Sequence, residues 1–154
     1  MLRVSRLTDY GIVLMSTFAA EPAGTVCTSR GLAEASGLPA ATVSKLLKRL
    51  QRAGLLRSQR GLHGGYVLAR SAAAITLAEV VDALEGPLAL SDCQGKEPGP
   101  CLLHGTCPVR GTWRSINQTM QDALAGVTLA AVARARRGPR PRPRPAARGE
   151  AKSS

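Results

Sequence analysis

Apolar side chains recur at helical spacing in three segments near the start of the chain. The first covers residues 5–20 and is followed by a Glu-Pro-Ala-Gly sequence that interrupts the pattern. The second covers residues 29–36 and ends at Gly37, which easily adopts a left-handed conformation. Pro39 then favours a new helix start, followed by one apolar stripe up to Gly54. The pattern predicts a helix, a short second helix, a turn and a third helix.

The next segment has the pattern of a β-ribbon. Residues 55–58 and 66–68 have strand-like composition on either side of a glycine-rich segment, which predicts a two-stranded wing. Thr76 and Glu79 then have the spacing of a capping box and predict a short fourth helix that ends at Gly86. A loop of about twenty residues follows and carries three cysteines; loops of this length are uncommon in compact domains unless they bind something.

A heptad-like seam of apolar residues follows the loop. Its members alternate at intervals of four and three, which predicts one long helix that packs against a partner. The predicted dimerisation residues are Val109, Trp113, Ile116 and Met120. Arginine and proline then alternate over residues 139–145, where proline removes backbone donors, so we expect a disordered basic tail.

These elements predict a mostly α fold with a small β wing, namely a winged helix-turn-helix followed by a long C-terminal dimerisation helix. The predicted division is a DNA-binding domain over residues 1–85, a cluster-binding loop over 86–107, a dimerisation region over 108–133 and a tail over 134–154. No apolar run approaches the roughly 20 residues that span a bilayer, and no signal-peptide core begins the chain. We therefore expect a cytoplasmic protein without a membrane partner.

Positive charge is distributed unevenly along the chain. The formal net charge is +11, of which the tail carries +7. Residues 35–78 contain seven Lys or Arg and no Asp or Glu, which points to a polyanionic partner such as double-stranded DNA.

In a helix-turn-helix the second helix of the motif enters the major groove. The predicted DNA-binding residues are Ala41, Thr42, Ser44, Lys45, Lys48 and Arg49 on that helix and Arg57, Arg60 and His63 on the wing. The alternative is that these cations only solvate a helix face.

The three clustered cysteines are candidate metal ligands. Cys93, Cys101 and Cys107 are separated by seven and five residues, and their thiolates suit an iron-sulfur cluster or zinc. In a reducing compartment they are not expected to form disulfides. The spacing does not choose between the two metals, and His104 makes a zinc site with three cysteines and one histidine a rival. Cys27 lies in an apolar run and is interpreted as a small buried hydrophobic residue.

Four motifs resemble those of the Rrf-two type winged-helix transcription regulators, which include IscR-like and NsrR-like proteins. They are Leu-Thr-Asp-Tyr at residues 7–10, Arg-Gly-x-x-Gly-Gly-Tyr at 60–66, Cys-Gln-Gly-Lys at 93–96 and Cys-Pro-Val-Arg-Gly-x-Trp at 107–113. Together they cover residues 1 to about 133, and the tail lies outside the resemblance. The last motif looks most like the branch that regulates the SUF cluster-assembly system.

The resemblance implies a homodimer that carries a 2Fe-2S or 4Fe-4S cluster on Cys93, Cys101 and Cys107 near the dimer interface. It leaves the fourth ligand open, because the histidine of the IscR-like pattern is replaced by Arg110. NsrR-like members use an aspartate from the other subunit at the position of Asp9. An aspartate at position 9 is also favoured by the helix dipole, without any role as a ligand. His104 is a further candidate for the fourth ligand.

The predicted function is a DNA-binding transcription regulator, interpreted as a repressor. By the resemblance it senses cluster status, redox state or nitric oxide and controls cluster-assembly genes. Two alternatives stay open: an iron-sulfur redox or electron-transfer protein, and a zinc-stabilised DNA-binding protein without a sensing role. An enzyme is not expected, because no serine, histidine and carboxylate constellation occurs and the wing glycines lead into a strand, unlike a dinucleotide-binding turn.

Overall fold

The computed structural model describes residues 4–94, 99, 101–103 and 105–136. Six α-helices and two strands lie within these residues. The helices are α1 (Arg6–Ala20), α2 (Ser29–Ser36), α3 (Ala40–Arg52), α4 (Leu77–Glu85), α5 (Arg110–Ala125) and α6 (Leu129–Arg136), and the strands are β1 (Leu56–Gln59) and β2 (Gly65–Leu68). The predicted mostly helical fold with a small wing is confirmed.

Local capping explains where the first three helices begin and end. The Ser5 side chain accepts a hydrogen bond from the Thr8 backbone N–H at 3.2 Å and caps α1, while Thr28 caps α2 in the same way. Gly37 ends α2 with φ of +71°, a conformation that glycine adopts without strain. Pro39 occupies the N-cap position of α3, so this helix begins one residue later than a proline in the first turn would place it.

The wing is an antiparallel pair of strands that is also tied to the segment before α2. Leu56 pairs with Leu68 and Gln59 with Gly65. At the end of β2 nearest the tip, Cys27 and Tyr66 exchange two backbone hydrogen bonds of 2.8 Å each. A Cβ at position 65 would lie 2.5 Å from the carbonyl oxygen of Cys27, so the close approach of these two backbones requires glycine.

The core is built from leucine-rich faces of α1, α3 and α4. Leu14 of α1 is fully buried. Leu46 and Leu50 are also fully buried, as the predicted apolar stripe on α3 requires. Leu129 of α6 is also fully buried, and its backbone N–H donates a hydrogen bond of 2.8 Å to the backbone carbonyl of Ile75. The chain therefore returns from α5 to the core of its N-terminal half.

Side-chain hydrogen bonds hold the end of α6 against α1. The Arg136 guanidinium donates to the hydroxyls of Ser16 and Thr17 at 3.2 and 2.6 Å. Residues 134–136, the start of the predicted tail, form the last turn of α6, and the rest of that tail lies outside the described residues. In the part of the chain that the structure describes, no helix is both long enough and apolar enough to cross a membrane.

Candidate DNA interface and cysteine loop

One face of α3 presents small, hydroxyl and basic side chains to solvent. Ala41, Ser44, Lys45 and Lys48 are exposed, whereas Thr42 is half-buried. The four exposed residues recur at helical spacing and therefore share one face, opposite the buried leucines. This face has the composition that major-groove recognition requires, with cations for phosphates and short side chains that allow close approach.

Arg49 differs from the other cations of α3. It is half-buried, and its Nη1 donates to the backbone carbonyl of Leu84, at the end of α4, over 3.0 Å. The prediction that Arg49 contacts DNA stays a prediction, but one of its guanidinium nitrogens is already bound within the chain.

The wing carries three exposed candidates for DNA contact, Arg57, Arg60 and His63. Arg57 also donates through Nη2 to the carbonyl of Ala69, just beyond β2. The tip is closed by a backbone hydrogen bond of 3.0 Å from Gly64 to Gly61. Arg60 therefore lies beside a tight turn at the tip, where a long cation can reach a groove of DNA.

The positive charge of α3 and the wing is not neutralised by neighbouring acids. Among the described residues, ion pairs join Arg30 to Glu34 and Arg70 to Glu79. Neither pair involves α3 or the wing tip. The uncompensated charge favours a polyanion.

The three loop cysteines are free thiols with different exposure. Cys93 and Cys107 are half-buried, and Cys101 is exposed. The Sγ of Cys93 lies 3.3 Å from the hydroxyl of Ser91. Among the described residues of this single chain, no three Cys, His, Asp or Glu side chains are grouped as metal ligands. His104 lies outside the described residues.

Asp9 lies in the first turn of α1, and Cys27 lies directly before the N-cap residue of α2. Both are away from the loop in sequence. Burial, with a contribution from the charge of Glu21, raises the pKa of the Cys27 thiol and disfavours the thiolate that binds metals. Asp9 is exposed in the first turn of α1. This position suits both its interpretation as a helix-dipole partner and its interpretation as a ligand.

Comparison with known proteins identifies the family. A family model named Rrf2 and described as an iron-dependent transcriptional regulator matches residues 4–135. The chain belongs to the Rrf2 family. The HTH-type transcriptional repressor NsrR of Streptomyces coelicolor is 29% identical to this Rrf2 protein over 139 residues, which cover 90% of this chain and 93% of NsrR.

Solved structures agree with this assignment. CymR, the global cysteine regulator of B. subtilis, superposes with a TM-score of 0.70 at 28% identity, covering 88% of this chain and 98% of CymR. IscR of T. potens gives a TM-score of 0.66 at 26% identity and covers 88% of both chains. The winged-helix fold is confirmed, and this Rrf2 protein is a DNA-binding transcription regulator and not an enzyme.

The face of α5 that carries the predicted seam is open. Val109 is 49% exposed, Trp113 and Ile116 are each 41% exposed, and Met120 is half-buried. An apolar stripe this accessible on one chain is typical of a surface that a partner covers.

Sequence reasoning missed two polar residues that hold the beginning of the cysteine loop. The side-chain oxygen of Asn117, which is buried on α5, accepts from the backbone N–H of Leu90 at 3.2 Å. The Gln121 amide donates to the carbonyl of Leu88 at 3.5 Å. The sequence contained an indication for Asn117, because it is a polar residue that directly follows Ile116 of the apolar seam.

Proposed function

We propose that this Rrf2 protein is a dimeric repressor whose affinity for DNA depends on an iron-sulfur cluster held by Cys93, Cys101 and Cys107. We also propose that it controls genes for cluster assembly. The observation that carries the proposal is the position of the loop. It runs from α4, which contacts the recognition helix through Arg49, to α5, which bears the open seam.

The donor chemistry of the loop fits a cluster. Three free thiols on one segment supply the soft ligands that iron-sulfur clusters take. Zinc takes the same ligands, but the family description names iron, which favours iron here. When bound, the cluster would supply a group that responds to iron, oxidants or nitric oxide. Asp9, which is exposed on α1, and His104 are the candidate fourth ligands within the sequence.

Dimer formation through α5 fits the same proposal. The open residues Val109, Trp113 and Ile116 provide an apolar stripe that a second copy of α5 can bury. A loop between this interface and the DNA-binding half is placed to alter how two recognition helices are spaced, and that spacing decides whether both reach successive major grooves.

The test of the cluster uses protein purified without oxygen and two spectra. We expect iron-sulfur absorption above roughly 350 nm and, after reduction or oxidation, an electron paramagnetic resonance signal that distinguishes the cluster types. Cys93→Ala, Cys101→Ala and Cys107→Ala should each abolish the absorption. Cys27→Ala is the matched control and should keep it, because Cys27 lies outside the loop and its backbone pairs with Tyr66 of the wing. A colourless wild-type protein with stoichiometric zinc would contradict the proposal.

The test of regulation uses the same samples. In a mobility-shift assay on the DNA upstream of its own gene, the cluster-loaded and apo forms should differ in affinity. If both forms retard the DNA specifically and with equal affinity, the protein binds DNA without sensing the cluster, and the proposed regulation is contradicted. Specific retardation by neither form would show that the operator lies elsewhere, and the assay is then repeated on DNA upstream of cluster-assembly genes.

A further inference from the structure

The last turn of α4 is the junction between the DNA-binding half and the cysteine loop. The helix ends at Glu85, and Gly86 leaves it with φ of +88°. Cys93 follows Gly86 by seven positions. A rearrangement of the loop therefore reaches α4 through this turn, past the contacts of Leu88 and Leu90 with α5.

The turn is held by α1 on one side. The backbone N–H of Ser5 donates to the Oε1 of Glu85 at 2.7 Å. A Cβ on Gly11 would lie 2.1 Å from the Cδ1 of Leu84, so α1 and α4 approach closely where glycine leaves room. The first turn of α1, which includes Asp9, is thus fixed to the residues that precede the loop.

The recognition helix holds the turn on another side through packing in the shared core and through the hydrogen bond of one side chain. The guanidinium of Arg49 donates to the Leu84 carbonyl at 3.0 Å. This carbonyl belongs to the last four of α4, which have no partner within the helix and carry the negative end of its dipole. A half-buried cation bound there is stabilised by charge as well as by hydrogen bonding.

Arg49 also stands apart from its neighbours on α3. Lys45 and Lys48 are exposed and available to phosphates, whereas Arg49 is half-buried against α4. The position of Arg49 therefore suits a contact between α3 and α4 better than a contact with DNA phosphate. Direct contact with DNA and coupling to α4 are two roles that experiment can separate.

We infer that Arg49 is a positioning residue that couples the cysteine loop to the recognition helix. This inference rests on the proposed function, in which a cluster on the loop changes DNA affinity. A ligand shifts an equilibrium only through contacts that differ between two states. The bond from Arg49 to Leu84 is such a contact, because displacement of the last turn of α4 moves or releases the guanidinium that α3 carries.

The experiment measures the dissociation constants of the cluster-loaded and apo forms on one operator duplex and takes their ratio. Allosteric coupling commonly gives ratios of about 5 to 150. We expect Arg49→Met to bring the ratio to within about twofold of one. Its cluster absorption should match that of the wild type, since no ligand has been removed.

Lys48→Met is the matched control, because it removes one positive charge from the exposed face of the same helix. It should weaken binding by a similar factor in both forms and leave the ratio at its wild-type value. Salt dependence provides a second readout, since only loss of a phosphate contact should reduce the slope of log affinity against log salt, by about one. That reduction is expected for Lys48→Met and not for Arg49→Met.

The outcomes separate this inference from the proposed function. A wild-type ratio that differs from one and persists in Arg49→Met overturns the inference and leaves the proposed function standing. A wild-type ratio of one overturns both. Circular dichroism checks that Arg49→Met folds; if it does not, Arg49→Gln is shorter, uncharged and still polar, and an unchanged ratio in that variant also overturns the inference.

Discussion

At the scale of single residues, position 65 is decided by a backbone from elsewhere in the chain. The turn-forming glycines of the wing were predicted from their composition, but Gly65 lies in β2 beyond the turn. A side chain there would meet the carbonyl of Cys27, whose backbone pairs with Tyr66. The glycine thus allows the segment before α2 to anchor the wing.

Gly65→Ala should destabilise the protein by about 1–3 kcal/mol, because the new methyl group forces two paired backbones apart. Gly111→Ala is the control: nothing lies within 4 Å of a Cβ at this helical glycine, so helix propensity should stabilise that variant by about 0.5–1 kcal/mol. Urea unfolding followed by circular dichroism measures both. Equal stability of the two variants would show that the Cys27 contact imposes no constraint.

At the scale of elements, α4 is defined by its two ends. Thr76 and Glu79 form the capping box that their spacing predicted, with bonds of 3.3 and 2.9 Å. Arg70 adds a salt bridge to Glu79 that links the end of the wing to α4. The other end lies at Glu85, directly before the predicted Gly86. Both ends of this helix were therefore predictable, whereas the hydrogen bond from Arg49 to its last turn was not, because no local pattern indicates it.

The first end should depend on pH. Burial raises the pKa of the Glu79 carboxyl, but hydrogen bonds from the Thr76 backbone, from Arg70 and from the Thr76 hydroxyl, with the charge of Arg70, together lower it below the usual value. Because the folded pKa is lowered, the charged carboxylate stabilises the fold above the unfolded pKa of about 4.3. This contribution is lost as the pH falls through the folded pKa.

The stability advantage of wild type over Glu79→Gln should therefore be largest near pH 6 and shrink between about pH 5 and 3. Chemical unfolding at several pH values measures the difference. Glu34→Gln, which alters the solvent-exposed pair with Arg30, should show a small difference throughout. An advantage that grows on acidification would contradict the lowered pKa of Glu79.

At the scale of the whole molecule, the open face of α5 lies apart from the core that α1, α3, α4 and α6 share. The heptad spacing of Trp113 and Met120 predicted a partner for this helix. Trp113 is 41% exposed and Met120 is half-buried, so a second copy has apolar surface to cover there. Asn117 lies between them and holds the loop at Leu90. Changes at the proposed dimer interface and in the loop are thus mechanically connected through α5.

Trp113→Asp combined with Met120→Asp should convert the proposed dimer into a monomer, because two charges would be buried in an apolar interface. Sedimentation velocity measures the change in mass. Thr112→Asp combined with Thr119→Asp has the same seven-residue spacing at exposed positions next to the seam and should stay dimeric. An unchanged mass for the first variant would show that the seam is not the interface.

The sequence by itself determined the elements, the basic exposed face of α3 and the family. Helical periodicity, the Thr76 cap and Gly37 act over one or two turns, so neighbouring residues suffice to predict them. Only the tertiary structure decided that α6 returns to the core, that Gly65 meets Cys27 and that Arg49 binds a carbonyl 35 positions away. These contacts depend on how finished elements pack against one another, which a local pattern of polar and apolar residues does not record.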